Sequence, residues 1–137
     1  MGAPRDSEAR RFYYVAWHRL EDAETLLDGH RWQGAVYLAG YAVECGLKAS
    51  LIVRTAQARR REMLSDFVGR RGHDLSWLRQ MLAVQGEHLT ATIHEELALL
   101  SMWSTDLRYE ASTGDPEDAQ EFLDAARRVL RWIDERT

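Results

Sequence analysis

The sequence predicts an all-α protein, an up-and-down bundle of four to five helices in a single domain, residues 1–137. Apolar residues recur at helical spacing through several long stretches. Runs that alternate apolar and polar residues are scarce, and β-branched residues are few, which argues against strands. The two prolines, Pro4 and Pro116, lie near the edges of the periodic stretches, where they do not interrupt a helix.

The first predicted helix begins near Asp6 or Ser7, because either side chain can accept a hydrogen bond at a helix N-terminus. Gly29 is a typical residue for its end. The apolar positions between them follow at helical spacing: Phe12, Ala16, Leu20, Ala23 and Leu27.

The second predicted helix covers about residues 32–58 and is rich in small residues. It contains Gly34, Gly40 and Gly46, and a glycine costs about 1 kcal/mol relative to alanine in a helix interior. Close approach of a neighbouring helix is the simplest compensation for this cost. The sequence therefore predicts that this is the central helix of the bundle.

The remaining helices follow a charged connection, residues 59–73, which carries a short apolar patch. Asp74 can cap the third helix. The fourth helix covers about residues 90–103, and residues 112–114 are predicted as a polar loop. Asp115 and Pro116, followed by acidic residues, form a typical start for the last helix. Its apolar face comprises Phe122, Ala126, Val129 and Ile133.

Composition excludes several classes of protein. The net charge of −4 does not indicate a nucleic-acid binder. The single cysteine excludes an intramolecular disulfide framework and a cysteine-cluster zinc site, and no metal or cofactor motif is present. We found no apolar run near the ~20 residues that span a bilayer and no signal-peptide core, so we expect a cytoplasmic protein without membrane association.

Glu44 and Lys48 are the first candidate site residues, and Tyr41 lies on the same helical stripe. The two charged residues are four positions apart with Glu first, the favourable order on a helix. Composition alone favours an ordinary surface ion pair, worth a few tenths of a kcal/mol. The alternative is a polar seam that faces a cleft or a second subunit.

His73 and Asp74 form a second candidate. A helix cap is the simplest role for Asp74. His73 either flanks that cap or contributes to phosphate contact or acid–base chemistry, because imidazole titrates near neutral pH.

Arg108 and Tyr109 form a third candidate. The arginine could clamp a phosphate and the tyrosine could stack on a base, or Arg108 could pin its loop to a carboxylate such as Glu44.

Residues 54–73 form the one locally basic region. Such a run is more often solvated than nucleic-acid-binding, but here it is the best candidate for a phosphate-binding surface. Six arginines (54, 59, 60, 61, 70 and 71) stand against Glu62 and Asp66.

Taken in order, these motifs resemble the HEPN domain family. The pieces are AETLL at residues 23–27, WQGAVYLAGYAVECGLKA at residues 32–49, His73-Asp74-Leu75, Arg108-Tyr109 and a closing helix from Pro116. Each piece is weak alone, but their order is fairly specific and covers nearly the whole chain. The stretch from Glu44 to Lys48 is the best single marker.

The resemblance implies a helical bundle that often forms a homodimer and often acts with a minimal nucleotidyltransferase, in toxin–antitoxin-like or defence pairs. Other members of the family are implicated in nucleotide binding. Active members are metal-independent ribonucleases, in which an Arg is followed after four to six residues by a His. The Arg would stabilise phosphate charge while the His performs acid–base chemistry.

This chain departs from the ribonuclease signature. Arg108 lies near the expected position of the Arg, but residues 113–115 (Thr-Gly-Asp) occupy the places of the His. Arg11 and His18 do have the signature spacing, but they lie in the first predicted helix, the wrong element, so we treat that match as chance. We therefore expect a dimeric, non-catalytic partner of a nucleotidyltransferase that binds a nucleotide or RNA phosphate.

Two other roles stay open. One is a ribonuclease with a non-standard site built on Arg108 and His73, and the other is a purely structural dimerisation module. In each case we expect Glu44 to meet Arg108 or Lys48 near a cleft or a dimer seam.

Overall fold

The computed structural model describes residues 2–102 and 115–136, and this part of the chain is an all-α bundle, as predicted. Six α-helices lie in the described residues. They are α1 (Ser7–Asp28), α2 (Trp32–Arg54), α3 (Arg60–Val68), α4 (Leu75–Val84), α5 (Ala91–Met102) and α6 (Pro116–Arg136).

The predicted helix starts are confirmed where the described residues cover them. Asp6 caps α1 by accepting a hydrogen bond from the backbone N–H of Ala9 at 2.9 Å. Asp74 caps α4 through the backbone N–H groups of Ser76 and Trp77. The first helical position of α6 is Pro116. Two aspartate caps and one proline at the helix entries therefore set these boundaries.

The charged connection differs from the prediction. It contains the nine-residue helix α3, flanked by the 3₁₀ turns Gln57–Arg59 and Arg70–His73. Met63 and Phe67, four residues apart, form the buried face of α3. The preceding helix α2 ends at Arg54 rather than near residue 58, because Thr55 has an extended backbone, φ −82° and ψ 131°.

Helix α2 is the centre of the bundle. It contacts α1, α3, α4 and α6, and α5 packs against α4 and α6. Gly46 permits the close approach of α6, since a Cβ there would lie 2.5 Å from Leu130 Cδ2 and 3.2 Å from Ile133 Cδ1. The predicted reason for glycine in this helix is therefore confirmed at Gly46.

By length and composition, α2 is also the one helix among the described residues that could cross a membrane, so the expectation that no run approaches that length was wrong. Its most apolar window is 72% buried inside the bundle. That burial is typical of a core helix, and α2 has this position in the bundle.

Candidate functional site

The side chains of Glu44 and Lys48 form a buried ion pair inside the bundle. The Lys48 Nζ lies 3.0 Å from Glu44 Oε2, and the two side chains are 6% and 1% exposed for Lys48 and Glu44 respectively. The surface ion pair that composition favoured is therefore wrong. The local sequence positions the pair, because the surrounding turns of α2 are built from small and apolar residues that pack closely on every side.

Lys48 is enclosed by aromatic rings as well as by Glu44. Its Nζ lies 5.4 Å from the ring centroid of Phe67 and 5.8 Å from that of Phe12. The two rings contact each other edge to face, with centroids 5.9 Å apart. The ammonium thus has one carboxylate and two ring faces as partners, which compensates part of its desolvation.

His73 reaches the same carboxylate from the 3₁₀ turn before α4. Its Nδ1 lies 3.3 Å from both carboxylate oxygens of Glu44, and its side chain is 43% exposed. A histidine that donates Nδ1–H to a carboxylate keeps Nε2 as its second, separate hydrogen-bonding group. In the described part of the chain, Nε2 has no hydrogen-bond partner.

Gly72 fixes the turn that carries His73. A Cβ at position 72 would lie 1.9 Å from the backbone oxygen of Phe67, a contact with backbone that no small adjustment removes. A residue other than glycine therefore cannot occupy this position without displacing the turn and the imidazole that follows it.

Tyr41 and Cys45 lie beside Glu44 on α2. Burial, followed by the charge of Glu44, raises the pKa of Tyr41. Burial and the same charge raise the pKa of the Cys45 thiol to about 12. Cys45 is therefore a buried thiol that stays protonated near neutral pH.

Three exposed arginines precede His73 in the chain, one on α3 and two in the 3₁₀ turn that carries His73. Arg61, Arg70 and Arg71 form no ion pair with any acidic residue that the structure describes. Arg60, by contrast, pairs with Asp6 at 2.8 Å. We call Arg61, Arg70, Arg71 and His73 the basic surface.

Two earlier candidates have other outcomes. Arg108 and Tyr109 lie outside the described residues. Arg11 and His18 lie on α1, where Arg11 pairs with Glu8 at 2.7 Å and His18 lies 3.9 Å from Glu21. Neither contact connects this pair to Glu44.

The described residues contain no group of three or more His, Cys, Asp or Glu side chains able to hold a metal ion. The site there is instead a connected set of one buried carboxylate, one buried ammonium and one half-exposed imidazole. Such a set can hold an imidazole in a fixed orientation beside a cationic surface.

Three residues of the site were missed from the sequence. Phe12 and Phe67 enclose Lys48, and Gly72 sets the turn. The signal for Phe67 was available, because it lies in the apolar patch of the charged connection, four residues from Met63. Nothing local relates Phe12 to Lys48, since their contact depends on the packing of α1 against α2.

The fold and the site together define the class of this protein. It is an all-α bundle with a polar cluster on its central helix. The family model described as HEPN domain matches residues 9–136, nearly the whole chain. The chain belongs to the HEPN domain family. No curated protein and no solved structure matches it.

Proposed function

We propose that this HEPN domain protein is a dimeric, non-catalytic partner of a minimal nucleotidyltransferase, and that it binds a nucleotide or RNA phosphate in a toxin–antitoxin- or defence-like system. The basic surface is the observation that carries the binding part of this proposal. Family membership supports the partner and the dimer.

The chemistry of the basic surface suits phosphate. A guanidinium presents two parallel N–H donors that match a phosphate, and arginines without an acidic partner lose no ion pair on binding. The imidazole adds a directional donor: when it is protonated, Nδ1 donates to Glu44 and Nε2 donates to a phosphate oxygen. The contact of Nδ1 with both Glu44 carboxylate oxygens orients the ring.

RNA binding in a salt titration tests this part of the proposal. Fluorescence anisotropy with labelled single-stranded RNA would compare the wild type with an Arg70→Gln/Arg71→Gln double variant. Removing two phosphate contacts lowers the slope of log K against log salt by about 1.4. Arg131→Gln is the matched control, since Arg131 is also exposed and forms no ion pair with a described residue but lies on α6. Equal affinities and slopes for the three proteins would overturn phosphate binding at this surface.

The partner and the dimer are tested separately. Analytical ultracentrifugation gives the mass of the purified protein, and co-expression with a minimal nucleotidyltransferase from the same genome tests for a complex. A monomer that forms no complex with such an enzyme would overturn this half of the proposal and leave phosphate binding intact.

The Glu44–His73 contact favours a second candidate, a metal-independent ribonuclease. An imidazole oriented by a carboxylate can accept the proton of a ribose 2′-hydroxyl as that oxygen attacks phosphorus, and an arginine can stabilise the charge on the phosphate oxygens. The P–O5′ bond breaks as the 2′,3′-cyclic phosphate forms, and the leaving 5′-oxygen takes a proton from water or from the imidazolium. Cleavage of labelled tRNA in the presence of a chelator tests this candidate. Loss of cleavage in both His73→Gln and Arg108→Ala, with folding unchanged, would support it, whereas an inactive wild type would exclude it.

A further inference from the structure

A cleft of about 380 Å³ lies between the C-terminal end of α2, helix α3 and the C-terminal end of α4. This volume is within the range of small-molecule sites. The lining residues are Arg54, Thr55, Ala56, Arg59, Glu62, Met63, Asp66, Met81, Val84 and Gln85. None of them belongs to the basic surface or to the Glu44 cluster.

Charges of both signs line this cleft without neutralising one another. Arg59 is exposed on one side, and Glu62 and Asp66, four residues apart on α3, are exposed as well. No ion pair joins these three to each other or to another residue in the described part of the chain. Arg54 differs, because its guanidinium pairs with Glu87 at 2.5 Å. The cleft thus offers a free cation and free carboxylates side by side.

Two lining residues also carry a buried polar atom that lacks a hydrogen-bond partner among the described residues. They are the Nε donor of Arg54 and the Oε1 acceptor of Gln85. The Gln85 amide is oriented, since its Nε2 donates to Thr55 Oγ1 at 2.8 Å, and this hydroxyl donates to the Leu51 carbonyl at 2.7 Å. The lining therefore contains one unpartnered donor and one unpartnered acceptor in addition to its exposed charges.

The rest of the lining is apolar. Met63 is buried, Met81 is partly buried and Val84 is 77% exposed. Methionine side chains adapt to an apolar group of variable shape. An apolar wall beside separated positive and negative groups is complementary to a molecule with the same three parts.

We propose that this cleft binds a small zwitterion with an apolar side chain, that is, a free apolar α-amino acid. Its carboxylate faces Arg59, its ammonium faces Glu62 and Asp66, and its side chain contacts the methionines and Val84. A nucleotide fits this lining poorly, because its phosphate would meet two free carboxylates. The inference goes beyond the proposed function, since it uses other residues and a different ligand class.

Isothermal titration with three probes of similar shape tests the proposal: L-leucine, isopentylamine without the carboxylate, and 4-methylpentanoate without the ammonium. We expect L-leucine to bind with a Kd of about 0.1–1 mM, as suits a ligand of few atoms, and the two half-ligands to bind at least about tenfold more weakly. Binding of either half-ligand as tightly as leucine, or no binding of leucine, would overturn the proposal.

Variants locate the binding. Arg59→Gln is expected to weaken leucine binding about tenfold, whereas Arg61→Gln, a neighbouring exposed arginine outside the cleft, is expected to leave it unchanged. RNA affinity should respond in the opposite way, weakening in Arg61→Gln and staying near the wild-type value in Arg59→Gln. Equal leucine affinities for all three proteins would overturn the site, and the RNA measurement would still decide the proposed function separately.

Discussion

Removal of the charge on Glu44 should strongly destabilise the fold. In Glu44→Gln the Lys48 ammonium, 3.0 Å from the wild-type carboxylate, stays buried without a counter-charge. At this distance the Coulomb attraction is about 5.5 kcal/mol for an effective dielectric constant near 20. Breaking a buried pair by removing one partner typically costs 3–5 kcal/mol. The two phenyl rings and the new amide oxygen retain part of the stabilisation, so we expect a loss of about 3 kcal/mol.

The assay is urea and thermal unfolding followed by circular dichroism. A loss of about 3 kcal/mol corresponds to a decrease in Tm of roughly 10 °C for a chain of this size. The variant His73→Gln serves as the comparison for Glu44→Gln, because it changes the half-exposed residue of the same cluster. Its wild-type side chain is 43% exposed, so we expect a loss of no more than about 1 kcal/mol.

A double variant separates the pair from its environment. Glu44→Gln/Lys48→Met removes both charges, and methionine fills a similar volume against the phenyl rings. We expect its stability to lie within about 1.5 kcal/mol of the wild type, because paired charges replaced together leave no isolated ion. If Glu44→Gln alone loses less than about 1 kcal/mol, or if the double variant is as unstable as the sum of the single variants, the argument for a coupled buried pair is refuted.

Four further predictions follow from local geometry. Gly72→Ala should destabilise by at least about 2 kcal/mol in urea unfolding and weaken RNA binding, because the new Cβ meets the Phe67 backbone. His30 has φ 63°, so His30→Val should lose about 1–2 kcal/mol while His30→Gly stays within about 0.5 kcal/mol of the wild type. The Cys45 thiol, whose pKa is about 12, should react with a thiol reagent at pH 8 only after unfolding in urea. The backbone hydrogen bond at the start of α1 lowers the pKa of Asp6, so the ionised Asp6 stabilises the fold above pH ~4. This stabilisation should be lost as the pH falls through the lowered pKa. The pH dependence of the stability of Asp6→Asn should lack this contribution.

Capping chemistry made much of the fold predictable from the sequence. Asp6, Asp74 and Pro116 each mark a helix start through an interaction within a few residues, so the local sequence contains the whole signal. Helix α3 was not predicted, because nine residues contain too few turns to show an apolar period and its arginines resemble those of a solvated loop. The two buried residues of α3, Met63 and Phe67, indicate a packing face only when the positions of α1 and α2 are known.

The burial of Glu44 and Lys48 could not be predicted from their spacing. A Glu and a Lys four residues apart have the same pattern on a solvated helix and inside a bundle, and the two cases differ in what packs on α2 from distant parts of the chain. His73 is 29 residues from Glu44, and Phe67 and Phe12 come from two other helices. The candidate site is therefore a product of tertiary packing, whereas its individual helices are products of local sequence.

Because the cluster depends on packing and the arginines do not, two kinds of loss of function can be distinguished: one with loss of stability and one without it. Glu44 stabilises the core through Lys48 and orients the half-exposed His73, so a change at Glu44 should lower stability and phosphate binding together. Arg70 and Arg71 are exposed and form no ion pair with a described residue, so changes there should lower binding and leave unfolding unchanged. A variant set that lowered binding only when stability also fell would indicate that the cluster serves the fold alone. Loss of binding at unchanged stability in the arginine variants would instead assign the phosphate contact to the basic surface. The role of the buried pair would then be to hold His73 in place beside that surface.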